Sequence, residues 1–371
     1  MIPVSEPLIG EKDLAYVMDC MRSGWISSSG HYIEEFEQRW AEYCGMKYGV
    51  AMSNGTVALE AAAAVLDLKP GDEVIMPTFT IISCALAVVE QGAVPVLVDS
   101  DPRTWTMDVH QIEAKVTART RAIMPVHIYG HPVDMDPVLE VAQKHGLKII
   151  EDAAEAHGAE YKGRRCGSLG DLGCFSFFAN KIVTTGEGGM VLTNDEGLAG
   201  RLRGERNLCF LPERRFYHIE LGHNYRMTNV QAAIGLGQLG EIERHLAHKT
   251  WMGKAYTEQL KDLSQLQLPV EEPWAKNVYW MYGVVLTEEA GMDAVEFAQR
   301  LKAEGIETRP FFLGMHEQPV FHQRGLFLDE HYPVAERLAR QGLYLPSGLT
   351  LTEDQLERVC DVVKKVLAKG A

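Results

Sequence analysis

One lysine stands out for its surroundings. In Cys174-Phe-Ser-Phe-Phe-Ala-Asn-Lys-Ile-Val-Thr-Thr-Gly-Glu-Gly-Gly189, an apolar run delivers Lys181 into a stretch rich in hydroxyls and glycines. Flanked by Phe177, Phe178 and Ile182, its amine can be partly desolvated, which lowers an amine pKa and makes it a usable nucleophile. A second apolar run, Leu147-Lys-Ile-Ile-Glu-Asp-Ala-Ala-Glu-Ala-His157, ends in Glu151 and Asp152, followed by small residues that permit close approach. A carboxylate at the C-terminal end of a parallel strand stands where α/β folds open their ligand crevices. The third segment, Met52-Ser-Asn-Gly-Thr-Val-Ala-Leu59, reads as strand, polar glycine turn and helix. The backbone N–H groups of Gly55 and Thr56 would face an anion there, with the helix dipole behind them.

A nucleophilic amine, a strand-end acid and an anion-binding turn suit pyridoxal 5'-phosphate (PLP), whose pyridine nitrogen must stay protonated for the ring to act as an electron sink. Asp152 fits that partner role. Each residue also has a plainer reading. Lys181 can snorkel from a strand end to water, Asp152 can cap a following helix, and any capped βα turn resembles the one at Gly55. Two look-alike motifs lead elsewhere. Gly235-Leu-Gly-Gln-Leu-Gly240 matches GxGxxG but lies inside a helical pattern with no strand before it, so close helix packing explains it better than a dinucleotide. His127 and His131 are four apart, but Gly130 and Pro132 rule out the regular helix an HxxxH metal site needs. No GxxxxGK[ST] loop is present.

These residues need a scaffold. Tyr48 to Met52, Glu73 to Met76, Pro95 to Val98, Ala122 to Val126 and Lys148 to Glu151 read as strands. Between them, helical patterns run over Thr56 to Leu68, Ile81 to Gln91, Val109 to Val116 and Pro137 to His145. Such alternation implies a mainly parallel sheet covered on both faces. Gly173 to Phe178 and Gly189 to Thr193 add two strands. Val230 to Asp262 is largely helical, and the strand Val278 to Leu286 and helices over Asp293 to Glu304 and Glu353 to Leu367 follow. The expected division is a large domain over 1–245 and a smaller α/β domain over 246–371.

The 371 residues are 46% hydrophobic and 23% charged, ordinary values for a globular chain with a large core. A formal net charge of −15 argues against wholesale nucleic-acid binding, while a few arginines and helix starts still allow small anions. Seven cysteines without a CxxC pair indicate reduced thiols rather than a disulfide framework or a zinc site. The start, Met-Ile-Pro-Val-Ser-Glu, lacks a signal-peptide pattern, and no run of eighteen apolar residues suggests a membrane span. A cytoplasmic enzyme is expected.

Taken in order along the chain, the segments resemble the DegT/StrS family of nucleotide-sugar aminotransferases nearly end to end. The resemblance runs through Ser23-Gly-Trp-Ile-Ser, Gly30, Phe36-Glu37, Ser53-Asn-Gly-Thr-Val-Ala-Leu59, Pro77-Thr-Phe-Thr and Val126-His-Ile-Tyr-Gly130. It continues in Glu151-Asp-Ala-Ala-Glu-Ala-His-Gly158, Phe175-Ser-Phe, Thr184-Thr-Gly-Glu-Gly-Gly189, Gly222-His-Asn-Tyr-Arg-Met-Thr228 and Gly305-Ile-Glu-Thr-Arg-Pro310.

The resemblance implies an α/β fold of PLP-dependent transferase fold type I, aspartate aminotransferase-like, with a mixed, mainly parallel sheet. It makes Lys181 the covalent anchor of PLP and the carrier of the substrate proton. Asp152 becomes the partner of the pyridine nitrogen, and Glu155 a neighbour of the ring hydroxyl. Gly55, Thr56 and Ser176 form the phosphate cradle. Asn224 is implied to reach the phosphate from a neighbouring subunit, which makes the enzyme a homodimer with shared active sites. Where relatives commonly stack an aromatic on the ring, this chain has Ile81, with Phe79 nearby as a substitute.

Because Lys181 is present, transamination is expected rather than the dehydration of relatives that have lost this lysine. The implied donor is L-glutamate. The implied acceptor is C4 of a nucleotide-linked 4-keto-6-deoxy sugar, GDP-4-keto-6-deoxymannose before a UDP- or dTDP-linked one. Arg309 and His316 are the candidates for the sugar-nucleotide side, with ordinary surface positions as their plainer reading. A PLP-binding regulatory protein without turnover is the remaining alternative.

Overall fold

A computed structural model describes residues 1–211, 213–214 and 216–368. The last three residues of the expected second domain lie outside the described residues. In the first half, the apolar runs form β1 (Tyr48–Met52), β2 (Glu73–Pro77), β3 (Val94–Val98), β4 (Thr120–Ile123) and β5 (Lys148–Asp152). A short hairpin of β6 (Glu160–Tyr161) and β7 (Arg164–Arg165) follows, then β8 (Leu172–Ser176) and β9 (Gly189–Thr193). Seven of these make one sheet in the order β1-β9-β8-β5-β4-β2-β3. From β3 to β8 neighbours are parallel, while β9 runs antiparallel to both β1 and β8. Strands β2 and β9 are buried at all five positions because helices cover both faces. One face packs Phe36, Trp40, Ala58 and Ala62. The other packs Ile75, Ile123 and Ile149 against Val138 and Val141 of the Met135–His145 helix.

The later strands are β10 (Leu266–Gln267), β11 (Ala275–Lys276), β12 (Tyr282–Leu286), β13 (Arg309–Pro310) and β14 (Gly342–Leu345). Four of them form a second sheet, β10-β12-β14-β13, whose core includes Phe297, Leu301, Val359 and Val363. The remaining one, β11, joins the hairpin as β11-β6-β7. The helix Ile242–Leu260 bridges the two sheets' cores: Ile242 and Leu246 pack in the first, Met252, Tyr256 and Leu260 in the second. Residue 245 therefore lies within a continuous helix. The N-terminus also crosses over, with Ile2 bridging Ile306 and Val4 accepting from the Ser347 N–H.

Local differences from the sequence reading have local causes. The expected strand 122–126 stops at Ile123, just before Pro125, which has no N–H for a ladder. The long helical stretch breaks at Gly240 and Glu241. In the GxGxxG look-alike, a Cβ on Gly235 would meet the Phe36 ring at 2.6 Å, and one on Gly237 would meet Asp13 Oδ1 at 2.2 Å. Those glycines let three helices close on one another. The expected strand 278–286 begins only at Tyr282, because Val278 donates to Gly130 O and Tyr279 turns with φ of 46°. That detour puts Trp280 at the cavity described next.

Candidate active site

A cavity of about 570 Å³ opens at the C-terminal ends of β5 and β8, where parallel sheets place their ligands. Gly55, Thr56, Asp152, Glu155, Ser176 and Lys181 all line it. The sheet brings together three segments spread over more than a hundred residues of chain.

Lys181 follows the end of β8, in a turn where its N–H donates to Phe178 O. Its Nζ lies 3.6 Å from Glu155 Oε1 and 3.7 Å from the centroid of the Trp280 ring. Burial lowers its pKa below the ordinary lysine value, although Glu155 and Asp152 both pull it up. The snorkelling reading fails, since the amine points into the protein.

Asp152 ends β5. Its Oδ2 accepts from Cys84 Sγ at 3.0 Å and its Oδ1 from Ala154 N at 3.0 Å. No helix follows for it to cap; residues 153–159 form turns. Glu155 Oε2 accepts from the Tyr129 N–H at 2.8 Å. Burial pushes the Glu155 carboxyl up to about 7, against the downward pull of Lys181 and the Tyr129 N–H. Burial thus outweighs the mutual attraction of the pair on both sides.

That shift has a consequence for stability. Between about pH 4.5 and 7 the folded chain keeps a proton on Glu155 that the unfolded chain has lost. Stability without cofactor therefore falls as pH rises through this window and stays lower above it. Glu155→Gln removes the titration. At pH 8 the cofactor-free variant is expected to be more stable than wild type by about 1–3 kcal/mol, with the gap closing below about pH 4.5. Thermal denaturation against pH checks this, and a variant that melts lower at pH 8 contradicts it.

The helix Gly55–Ala64 aims its start at the cavity. Asn54 caps it by accepting from Val57 N at 3.0 Å, which leaves the earlier N–H groups for a ligand. A Cβ on Gly55 would lie 2.6 Å from Ser176 Cβ, so only glycine lets the helix start approach β8 this closely. Thr56 Oγ1 lies 2.8 Å from Ser83 Oγ, adding a fourth residue to the donor cluster. Backbone N–H groups and three hydroxyls suit a phosphate, while Lys181, Asp152 and Glu155 offer the groups a pyridine aldehyde would need. The donor set fits PLP.

Ile81 lines the cavity and is 39% exposed, whereas Phe79 is buried against the rings of Tyr129, Phe311 and Phe312. The aliphatic residue is the one at the site. His157 is a core group: its Nδ1 accepts from Val183 N at 3.2 Å, and burial drives its pKa down to about 3.

Three candidates are not brought to this cavity. Asn224 is exposed on the 207–228 segment, bridging to Asn207. Arg309 pairs with Glu307 at 3.1 Å and lines a smaller adjoining cavity of about 240 Å³, whose wall shares Phe178, Asn180 and Tyr344 with the first. His316 is enclosed, with Nδ1 2.7 Å from Thr78 Oγ1 and Nε2 3.2 Å from Glu336 Oε1. Both its nitrogens are engaged within the fold. Sequence reasoning missed Ser83, Trp280, Phe312 and Tyr344, all of which line the cavity. Their types are unremarkable in isolation; only the packing of the second sheet against the first brings the three aromatics here.

Solved structures share this fold over the whole chain. An aminotransferase from Streptoalloteichus hindustanus superposes with a TM-score of 0.93 at 30% identity, covering 100% of this chain and 99% of the other. A Streptococcus pneumoniae protein in its PLP form gives 0.93 at 26% identity, with 100% and 99% covered. Fold and site together define a PLP-dependent aminotransferase of fold type I. The model of the DegT/DnrJ/EryC1/StrS aminotransferase family matches residues 7–364, and the chain belongs to that family. Among its relatives are the GDP-perosamine synthases of Caulobacter vibrioides, 46% identical over 99% of this chain and 98% of that one, and of Escherichia coli O157:H7, 41% identical with 98% of each covered. The dTDP-3-amino-3,4,6-trideoxy-alpha-D-glucose transaminase of Streptomyces venezuelae is 37% identical over 92% of this chain and 89% of its own.

Proposed function

We propose that this aminotransferase moves the amino group of L-glutamate to C4 of GDP-4-keto-6-deoxymannose, forming GDP-perosamine. The observation that carries the chemistry is the buried Lys181 amine, set 3.6 Å from Glu155 in a cavity that also holds Asp152. The end-to-end similarity to GDP-perosamine synthases supports the choice of sugar nucleotide.

Bound PLP supplies the electron sink for charge that develops at the substrate carbon. The protein's residues do the rest. Lys181 Nζ would anchor the cofactor covalently and, once released as a free amine, would take the proton from the substrate carbon and hand it to the cofactor carbon it had held, with the transfer running the other way in the acceptor half. Its lowered pKa keeps more of the amine unprotonated near neutrality. The Asp152 carboxylate would hold the proton of the ring nitrogen. Glu155 would lie toward the ring hydroxyl, and Gly55, Thr56, Ser83 and Ser176 would hold the phosphate. Trp280 shields the Lys181 amine from water. Arg309, in the adjoining cavity, is assigned to the sugar-nucleotide side.

The active unit in this reading is a homodimer, in which Asn224 reaches the phosphate of the neighbouring site. Support comes from the exposed Phe216, Tyr217, Ile219 and Leu221 on the same segment, an apolar stretch that favours contact with another surface. Residues 1–245 form the cofactor-binding unit and 246–371 the smaller one. Among the described residues no helix is long and apolar enough to cross a membrane, and a cytoplasmic location is assigned on the class of reaction.

The test offers GDP-, UDP- and dTDP-linked 4-keto-6-deoxy sugars to the PLP-loaded protein with L-glutamate, following 2-oxoglutarate release and product mass. The GDP-linked acceptor is expected to lead in kcat/KM by about tenfold or more. Preference for a UDP- or dTDP-linked acceptor overturns the sugar assignment. Light scattering on the same preparation sizes the active species, and turnover by a monomer removes the shared site.

A further inference from the structure

A buried amine with no part in the chemistry above lies behind the cavity wall. Lys249, on the Ile242–Leu260 helix, is only 2% exposed. Its Nζ donates to the Trp280 carbonyl at 2.9 Å and to the Ser347 carbonyl. Among the described residues it has no carboxylate partner in an ion pair. Burial alone draws its pKa down to about 7, and the titratable group beside it is His248. Lysines are rarely buried without a paired charge, because the ammonium loses its hydration.

Both carbonyls belong to segments that build the active-site wall. Trp280 places its ring on the Lys181 amine, and its indole N–H donates to Asn180 O at 2.8 Å, one residue before Lys181. Ser347 follows the cavity residue Tyr344 by three positions. Its hydroxyl accepts from Tyr282 N at 2.9 Å and donates to Leu345 O at 2.7 Å. One amine therefore ties the bridging helix to the Trp280 turn and to the end of β14.

We propose that Lys249 is a positioning residue for the reaction: by holding the Trp280 carbonyl it seats the indole over Lys181 and keeps that amine dry. This rests on the reading of Lys181 as the PLP anchor. The groups facing Lys181 are Glu155, Asp152 and His157. Its pKa lies low although both carboxylates raise it, so exclusion of water dominates. Without Lys249 the indole loses its seat, water reaches Nζ, and the Lys181 pKa climbs back toward the ordinary value.

The experiment follows the growth of the lysine-dependent visible absorption band when PLP is mixed with cofactor-free protein, as a function of pH. In Lys249→Met, which keeps chain length but has no donor, the pH midpoint is expected to rise by about one unit, slowing band growth near pH 7 about tenfold. Lys249→Arg, which keeps donors, is expected to stay within about threefold of wild type. In a Trp280→Phe background, Lys249→Met is expected to move the midpoint by less than half as much, because the two residues act along one path. Lys249→Leu, which also lacks a donor, is measured in parallel under the same criterion, so that a Met variant that does not fold still leaves a decision. An unmoved midpoint in the folded variants, or an equal shift in both backgrounds, overturns the role of Lys249. Wild-type protein without a band overturns the anchor reading instead.

Discussion

Lys181→Ala is expected to abolish the visible band that the protein develops with PLP and to cut turnover by about four orders of magnitude or more. The size follows from the loss of two roles at once. The covalent link to the cofactor goes, and so does the base that carries the substrate proton. No neighbour replaces it. Glu155 is within reach of the same space but holds its own proton up to about pH 7 and accepts from the Tyr129 N–H. Lys249, the other buried lysine, is turned to the carbonyls of Trp280 and Ser347. Absorption spectra with saturating PLP, together with 2-oxoglutarate release from L-glutamate, check the prediction. A band that survives in the variant would mean that a different amine holds the cofactor.

Asp152→Asn is expected to leave the fold and PLP binding in place and to slow the glutamate half-reaction by about 10²–10³-fold. The carboxylate is held at both oxygens, by the Cys84 thiol and the Ala154 N–H, so its position is set before any ligand arrives. An amide of the same shape keeps the contact with Ala154 N but brings no negative charge to the ring nitrogen. It also turns an NH2 group toward the cavity or toward Cys84. Single-turnover measurement of the glutamate half-reaction isolates the effect from the acceptor step. A loss of less than about threefold would remove Asp152 from the ring-nitrogen role.

Both residues were legible before any coordinates. Asp152 closes an apolar run with a residue that a buried strand end tolerates only with a partner, and Lys181 follows such a run in a polar turn; strand ends are visible in the hydropathy pattern. Gly55 and Thr56 were legible as a short polar break beside strong periodic segments, while Ser176 entered only through the family resemblance. The strands Tyr48–Met52 and Gly189–Thr193 came out residue for residue, since their apolar runs are bounded by polar or glycine-rich turns. Helix ends were less clear. The helix expected to reach Leu68 stops at Ala64, where Asp67 adopts a left-handed φ of 55° that no residue type announces.

His316 marks the limit of motif reading. His316 was named as a candidate for the sugar-nucleotide side, and the fold surrounds it with Thr78, Glu336 and Tyr332. Trp280 marks the converse. It lay inside an expected strand and carried no signal of function, and only the detour of residues 278–281 beneath Gly130 turns its indole to Lys181.

Chain order and residue type alone determined the class of fold and singled out Lys181, the strand-end Asp152 and the helix start at Gly55 as candidates. Each depends on patterns within some ten residues, over which local geometry follows from periodicity and turn chemistry. The tertiary structure decided which residues wall the cavity, that Ile81 rather than Phe79 reaches it, and that Lys249 stands behind Trp280. Those outcomes come from contacts between segments far apart in the chain, where close packing rather than local preference selects the neighbours.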